Sequence, residues 1–261
     1  MGKDFLKTIV ETKKEEVKTA QKIIPEHQLR REVLPLSTRR PFIQNLAQPG
    51  ARGINIIAEI KRASPSKGPI RLDLDPAIYA AAYEKGGASA ISVLTDQTYF
   101  KGSLNDLKAA RSITALPVLR KDFIISEYQI YESSIAGADA ILLIVRILAR
   151  EQLRDYLNLC SELNMDALVE VHAEADIETA TVAGARLIGI NNRDLSSFQT
   201  SIDTAIRMVS LLEPHQIPVA ASGIQSLEDI NKTRQAGIWN FLIGESLVRA
   251  DNPKTFLQSL F

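Results

Sequence analysis

From Ile54 onward the chain repeats one unit: a short run rich in Ile, Val, Leu and Ala, then a longer stretch of helical period. That alternation is the pattern of parallel strands joined by crossover helices. The apolar runs fall at residues 56–60, 90–94, 117–121, 138–144, 167–171, 187–190, 219–222 and 241–243. Their spacing leaves room for one strand, one helix and two short loops in each unit. Four helical stretches end in the same way, with Gly87, Gly137, Gly184 and Gly237 just before the next run. Glycine there takes the left-handed conformation that closes a helix without a Cβ penalty. No G-x-G-x-x-G follows the first run. Eight near-equal units therefore predict an α/β fold of the (β/α)₈ barrel type rather than a doubly wound sheet.

Residues 1–47 precede the repeat and are expected to form a helical extension covering the barrel as a lid or plug, with residues 48–261 forming the barrel of a single domain. The first helix is expected over 4–20, with Phe5, Ile9 and Val17 apolar among charges, and shorter helical pieces follow to Leu46. The run Lys13 to Glu16 reads as a solvated helix face, and Pro35, Pro41 and Pro49 mark turns. Lys plus Arg and Asp plus Glu are equal at 31 each, which argues against a nucleic-acid partner that would require surplus cations. No apolar run approaches the roughly 18 to 20 residues of a membrane span, and the charged N-terminus does not resemble a signal peptide. These features, with a single cysteine, point to the reducing cytoplasm. Cys160 falls in an amphipathic stretch beside Leu157 and Leu159 and reads as core. Trp239 reads as packing. His27, His172 and His215 have no metal-ligand spacing, so no metal is expected. The oligomeric state stays open, a monomer included.

Catalytic groups of such barrels gather at the C-terminal strand ends. There the sequence places Glu59 and Lys61, then Lys121, Glu170, Asn191 with Arg193, Ser222-Gly223, and Gly244-Glu245-Ser246. Glu59 and Lys61 are two apart and share a face of their strand, inward if Ile57 is inward. Taken alone, the pair also fits an internal salt bridge that plugs the mouth. Two lysines and two glutamates from three strands can instead leave one acid and one base near neutrality. Glycines after the last two strands, with Ser64 from the first loop, match the place where barrels hold a phosphate, although each alone is an ordinary turn. Asn191 and Arg193 fit either a substrate hydroxyl and carboxylate or a self-satisfied turn.

These pieces stand within longer motifs: AEIKRASPS from Ala58, VLTDQTYFKGS from Val93, LRKDF from Leu119, LVEVH from Leu168, GINNRDL from Gly189 and LIGESL from Leu242. In that order and spacing the chain resembles the indole-3-glycerol-phosphate synthase family of tryptophan biosynthesis. The resemblance implies a carboxy-lyase acting on a phosphorylated small molecule. Its reaction closes the ring of 1-(2-carboxyphenylamino)-1-deoxyribulose 5-phosphate, with loss of carbon dioxide and water and without cofactor or metal. By the same likeness Lys121 is the general acid at the ketone oxygen, and Glu170 stabilises the iminium charge and moves protons. Lys61 with Glu59 serves the carboxylate and the departing hydroxyl. Asn191 orients hydroxyls, and Ser64, Ser222, Gly223, Gly244 and the Glu245 backbone frame the phosphate. Phe100, Phe123, Leu142, Ile144 and Leu195 wall the aryl ring, and Arg193 adds to the positive mouth. One departure stands out: the family usually has glutamate before Ser-Gly, where this chain has Ala221. That change implies that Lys61 loses a positioning partner, and it alone supports a second reading, a weakened paralog that only binds phosphate ligands. A third reading, a barrel isomerase acting on phosphoribosylanthranilate, fits the phosphate cup but not the lysine-rich strand ends.

Overall fold

Each apolar run forms a strand, and the eight strands close into one parallel barrel. The computed structural model describes residues 2–33, 39–194 and 198–261. Pro35 and Leu195 lie outside those residues, as does the side chain of Phe5. The strands are β1 (Asn55–Ile60), β2 (Ala90–Leu94), β3 (Val118–Lys121), β4 (Ala140–Ile144), β5 (Asp166–Val171), β6 (Leu187–Asn191), β7 (Ile217–Ala221) and β8 (Asn240–Ile243). Neighbours in sequence are neighbours in the barrel, and β8 closes it on β1 with Ala58 opposite Ile243. Several expected boundaries move by one residue, and two strand starts move by two. Strand β4 begins at Ala140 because the preceding Asp139 carboxylate is bound to the Val118 amide and turns the chain. Strand β7 begins at Ile217 and takes Pro218 into its register opposite Ile188.

The helices close as their sequences require. Asp75 caps Pro76–Gly86 by accepting from the Ala77 and Ile78 amides, the ordinary use of an N-cap carboxylate. Gly87, Gly137, Gly184 and Gly237 all have positive φ, as the repeated helix-end glycine predicts. Cys160 is buried in Arg150–Glu162, and burial pushes its thiol pKa up, which makes it core rather than nucleophile. Among the described residues no helix is long and apolar enough to cross a membrane.

Strand residues alternate between two cores. Ile56, Ala58, Ile91, Val93, Ile141, Leu143, Val169 and Ile188 pack outward under the helices. Ile57, Leu119, Leu142, Leu168, Leu187, Val219 and Leu242 fill the barrel. The short helix Phe42–Leu46 inserts Phe42 and Leu46, both wholly buried, into that inner core. It is held by the Ile43 amide on Asp166 at 2.8 Å and by the Trp239 indole on the Leu46 carbonyl.

Helix α1 (Gly2–Ile23) runs slightly longer than expected at both ends, and it corrects the reading of Lys13 to Glu16 as a solvated face. Lys14 does face water, paired with Glu11. Lys13 is 3 % exposed. Its Nζ lies 2.8 Å from Asp96 Oδ2, 3.0 Å from Asp122 Oδ1 and 2.7 Å from Glu16 Oε2. Burial alone favours the neutral amine, but Asp122 and Asp96 outweigh it and raise the pKa. Burial likewise opposes the Asp122 carboxylate, which Arg120 and Lys13 together hold below the usual range. The carboxylates come from loops distant in sequence, so a run of local charges gives no sign of the burial.

Replacing Lys13 by Met removes one partner of a buried network and is expected to destabilise the fold by about 3–5 kcal/mol in urea denaturation near neutral pH. The depressed Asp122 pKa contributes stability above its unfolded value and loses it as pH falls. The difference between variant and parent is therefore expected to shrink below about pH 4. A loss under about 1 kcal/mol, the scale of an exposed pair, would show that the network adds little.

Candidate active site

The same alternation that fills the barrel delivers the polar side chains to its mouth. Glu59 follows Ile57, Lys121 follows Leu119, Glu170 follows Leu168, Asn191 lies two beyond Gly189, and Ala221 follows Val219, each pair two residues apart on an inward face. Register puts Ile144 beside Glu170 and Asn191 beside Ala221. Glu59, Lys61, Ser64, Phe100, Lys121, Phe123, Leu142, Ile144, Glu170, Asn191, Arg193, Ser222, Gly223, Gly244 and Glu245 all line one cavity of about 890 Å³. Leu195 lies outside the described residues.

Among the described residues, two lysine–glutamate pairs line this cavity. Lys61 Nζ is 2.8 Å from Glu59 Oε1, and Lys121 Nζ is 3.6 Å from Glu170 Oε2. Both carboxylates are nearly fully buried. Burial would raise the Glu59 pKa, yet Lys61, Lys121 and Arg193 lower it below the usual carboxylate range. Glu170 is lowered in the same way against its burial, by Lys121, by His172 and by a hydrogen bond with Asn191. Burial disfavours the charged Lys121 amine, but Glu170 and Glu59 raise its pKa. The expectation of one acid and one base near neutrality is therefore corrected. At neutral pH Glu59 and Glu170 are carboxylates and Lys121 is an ammonium, because pairing at the end of β1 and between β3 and β5 outweighs desolvation.

Gly244 makes the first pair possible. A Cβ on it would fall against Glu59 Oε1 and crowd the Glu59 Cβ, so glycine directly after β8 leaves Glu59 free to turn toward Lys61. After β7, Ser222 and Gly223 both have positive φ, 67° and 76°. The left-handed conformation is unfavourable for a serine, and the Asn192 side-chain amide holds it by donating to the Ser222 carbonyl at 3.0 Å. Asn192 Oδ1 also accepts from the Ala205 amide, so this asparagine is structural. Asn191 fits both readings of its turn: its Oδ1 accepts from the Arg193 amide while its side chain also reaches Glu170. Arg193 donates to the Phe198 carbonyl and still borders the cavity. Glu245 is occupied by Arg249 at 3.0 Å, which leaves its backbone to frame the pocket. Phe100 and Phe123 lie with ring centroids 6.1 Å apart.

Several lining residues were not foreseen from the sequence. Leu6 and Ile9 bring α1 into the wall, and His172 and Arg249 border the cavity as well. The His172 ring could have been found, because it stands two residues beyond Glu170 on the same strand face. Nothing local marks Leu6. Among the described residues no group of His, Cys, Asp and Glu is arranged to hold a metal ion.

The family described as indole-3-glycerol phosphate synthase matches residues 6–260. A protein of that name from Desulfosudis oleivorans is 60 % identical over 258 residues, covering 98 % of both chains. Namesakes from Syntrophobacter fumaroxidans and Carboxydothermus hydrogenoformans are 52 % and 47 % identical, each alignment covering at least 97 % of either chain. These relatives give no support to the reading as a weakened binding paralog. Among solved structures, thiamine phosphate pyrophosphorylase from Pyrococcus furiosus superposes with a TM-score of 0.61 at 14 % identity, covering 79 % of this chain and 93 % of that one. At that identity the likeness shows the barrel fold alone.

Gly244→Ala is expected to push Glu59 from Lys61 and to cost about 1–3 kcal/mol as an overpacked site, read by urea denaturation. A crystal structure of the variant should show the Glu59–Lys61 contact broken. An intact contact at unchanged stability would refute this account of the glycine.

Proposed function

The chain belongs to the indole-3-glycerol phosphate synthase family, a carboxy-lyase family, and from that premise we propose how its cavity carries out the ring closure. The substrate has an aryl carboxylate, a ketone and a phosphate. The reading is supported most directly by the Lys121–Glu170 pair, which sets an ammonium and a carboxylate 3.6 Å apart over an apolar floor of Leu142 and Ile144.

Lys121 is held charged, so it has a proton to give to the ketone oxygen as the ring carbon attacks the carbonyl. Glu170 is ionised opposite it and stabilises the iminium that this attack creates on the ring nitrogen. Carbon dioxide then leaves and restores the aromatic ring. The new hydroxyl then leaves as water while Glu170 takes a proton from the adjacent methylene carbon, the double bond so formed making the closed ring an indole, and Lys61, oriented by Glu59, assists the carboxylate and the departing hydroxyl. Asn191 orients the sugar hydroxyls. Ser64, Ser222, Gly223, Gly244 and the Glu245 backbone frame the phosphate, with Arg193 adding positive charge. Phe100 and Phe123 flank the aryl ring. Every proton is given or taken by a side chain, so the scheme calls on no cofactor. The same proposal treats residues 1–47 as an extension over a barrel of residues 48–261 and places the enzyme in the cytoplasm.

Ala221 does not leave Lys61 without a partner, since Glu59 holds it at 2.8 Å. What the alanine removes is a second carboxylate next to Asn191 in register. If that carboxylate helps to place Lys61, Ala221→Glu raises kcat. An unchanged or lower kcat rejects the role in this chain.

Lys121→Ala is expected to lower kcat by about 10²–10⁴-fold, the usual worth of a positioned acid, with KM changed far less. The assay is ultraviolet or fluorescence detection of the indole product. Turnover near the parent level would remove Lys121 as the acid.

A further inference from the structure

Of the buried ionisable side chains bordering the cavity that the mechanism above does not use, Asp122 is committed to Lys13 and Arg120, while His172 has no such tie. His172 stands just past β5, two residues beyond Glu170, and borders the cavity with its side chain only 3 % exposed. Its Nε2 lies 3.3 Å from Glu170 Oε1. Lys121 approaches the other oxygen, Oε2. Neither ring nitrogen has a hydrogen-bond partner among the described residues. An orphaned imidazole beside a carboxylate is costly in a dry site unless a small rotation or the bound substrate completes the bond.

We infer that His172 is a positioning residue for Glu170, donating Nε2–H to Oε1 in the working enzyme and so reserving Oε2 for Lys121. The inference rests on the role given to Glu170 above. The carboxylate is then held from three elements: by Lys121 of β3, by Asn191 of β6 and by His172. One oxygen stays paired with the acid while the other faces the developing cation in a single rotamer, the preorganisation that a charge-stabilising group requires.

The charges facing the imidazole make it sensitive to pH. Glu170 lies on its own strand and Lys121 on β3. Arg146 follows β4, and Asp176 belongs to the helix Glu174–Val182, bonded to Arg146 at 3.0 Å and to the His172 amide at 2.8 Å. Burial lowers the His172 pKa, Glu170 and Asp176 raise it, and Arg146 and Lys121 lower it, with a net fall below the ordinary imidazole value. At neutral pH the ring is a neutral donor. On acidification the imidazolium adds positive charge beside Glu170, weakens it as a base and diminishes its pull on the iminium, so turnover falls on the acid side.

The test compares kcat and KM against pH for His172→Gln, His172→Leu, Glu170→Gln and the parent. His172→Gln keeps an amide donor near Nε2 but cannot ionise. It is expected to keep kcat within about 3-fold at neutral pH and to lose the acid inflection. His172→Leu is expected to lower kcat about 10- to 100-fold with KM nearly unchanged, the size of one lost hydrogen bond to a charged group. If His172→Leu fails to fold, the His172→Gln profile and proton NMR titration of the His172 ring decide. Losing the Glu170 charge in Glu170→Gln should move that titration to lower pH. The inference is overturned if His172→Leu keeps the parent kcat and profile, if a folded His172→Gln keeps the acid inflection or loses as much kcat as His172→Leu, or if the ring titration ignores Glu170→Gln. A fully active Glu170→Gln would instead overturn the role given to Glu170 itself.

Discussion

The mouth depends on charges that can be buried only in pairs. A carboxylate almost out of water is tolerable when a cation and hydrogen bonds replace its hydration. Glu59 meets that condition through Lys61, two residues on and just past the end of its own strand, and Glu170 through Lys121, which the barrel sets near it. The pairing dictates the neighbours. The residue after β8 is a glycine, where a Cβ would meet Glu59, and Asn191 turns its side chain toward both Glu170 and its own loop. The site is built before any ligand arrives, and such preorganisation is what allows fixed charges to act on a transition state without reorganising.

The residues before the barrel serve both its ends. Phe42 and Leu46 complete the inner core at one end. At the other, Lys13 ties α1 to Asp122, which is next in sequence to Lys121 and also accepts from Arg120 at 3.1 Å, from Thr95 at 2.6 Å and from the Phe123 amide at 2.8 Å. The backbone carrying one lysine of the mouth and one aromatic of its wall is therefore fixed from behind by a buried ionic node. Leu6 and Ile9 of the same helix reach the cavity, so the tie also places part of the wall.

How much of this could be read in the sequence follows from the range of each interaction. Strand positions, the four helix-closing glycines and the inward parity of Glu59, Lys121 and Glu170 depend on periods of a few residues, and all were legible. The Glu59–Lys61 pairing was legible as an internal salt bridge, but the charge states of Lys121 and Glu170 were not, because they depend on distances between β1, β3 and β5 that no local pattern encodes. Lys13 was misread for the same reason: a lysine among charges on a helix reads as solvated until Asp96 and Asp122 are brought beside it. His172 was legible by parity and was passed over because isolated histidines were weighed only as metal ligands. Gly244 was read as space for an anion, and the structure shows a nearer reason in Glu59.

The pairing also bears on how an anionic substrate can enter. With Lys61 and Lys121 already matched to carboxylates, the cavity is not a bare cationic trap, and Arg193 is held by the Phe198 carbonyl. A substrate carboxylate arriving at Lys61 would exchange one anion for another around an ammonium that is already mostly dehydrated, so little new desolvation is required of the protein. The attraction gained is correspondingly a difference between two pairings rather than the full Coulomb energy of one. On the proposed roles, binding strength comes chiefly from the residues assigned to the phosphate and the aryl ring, which leaves the central pairs free to respond to the charge that develops during the reaction.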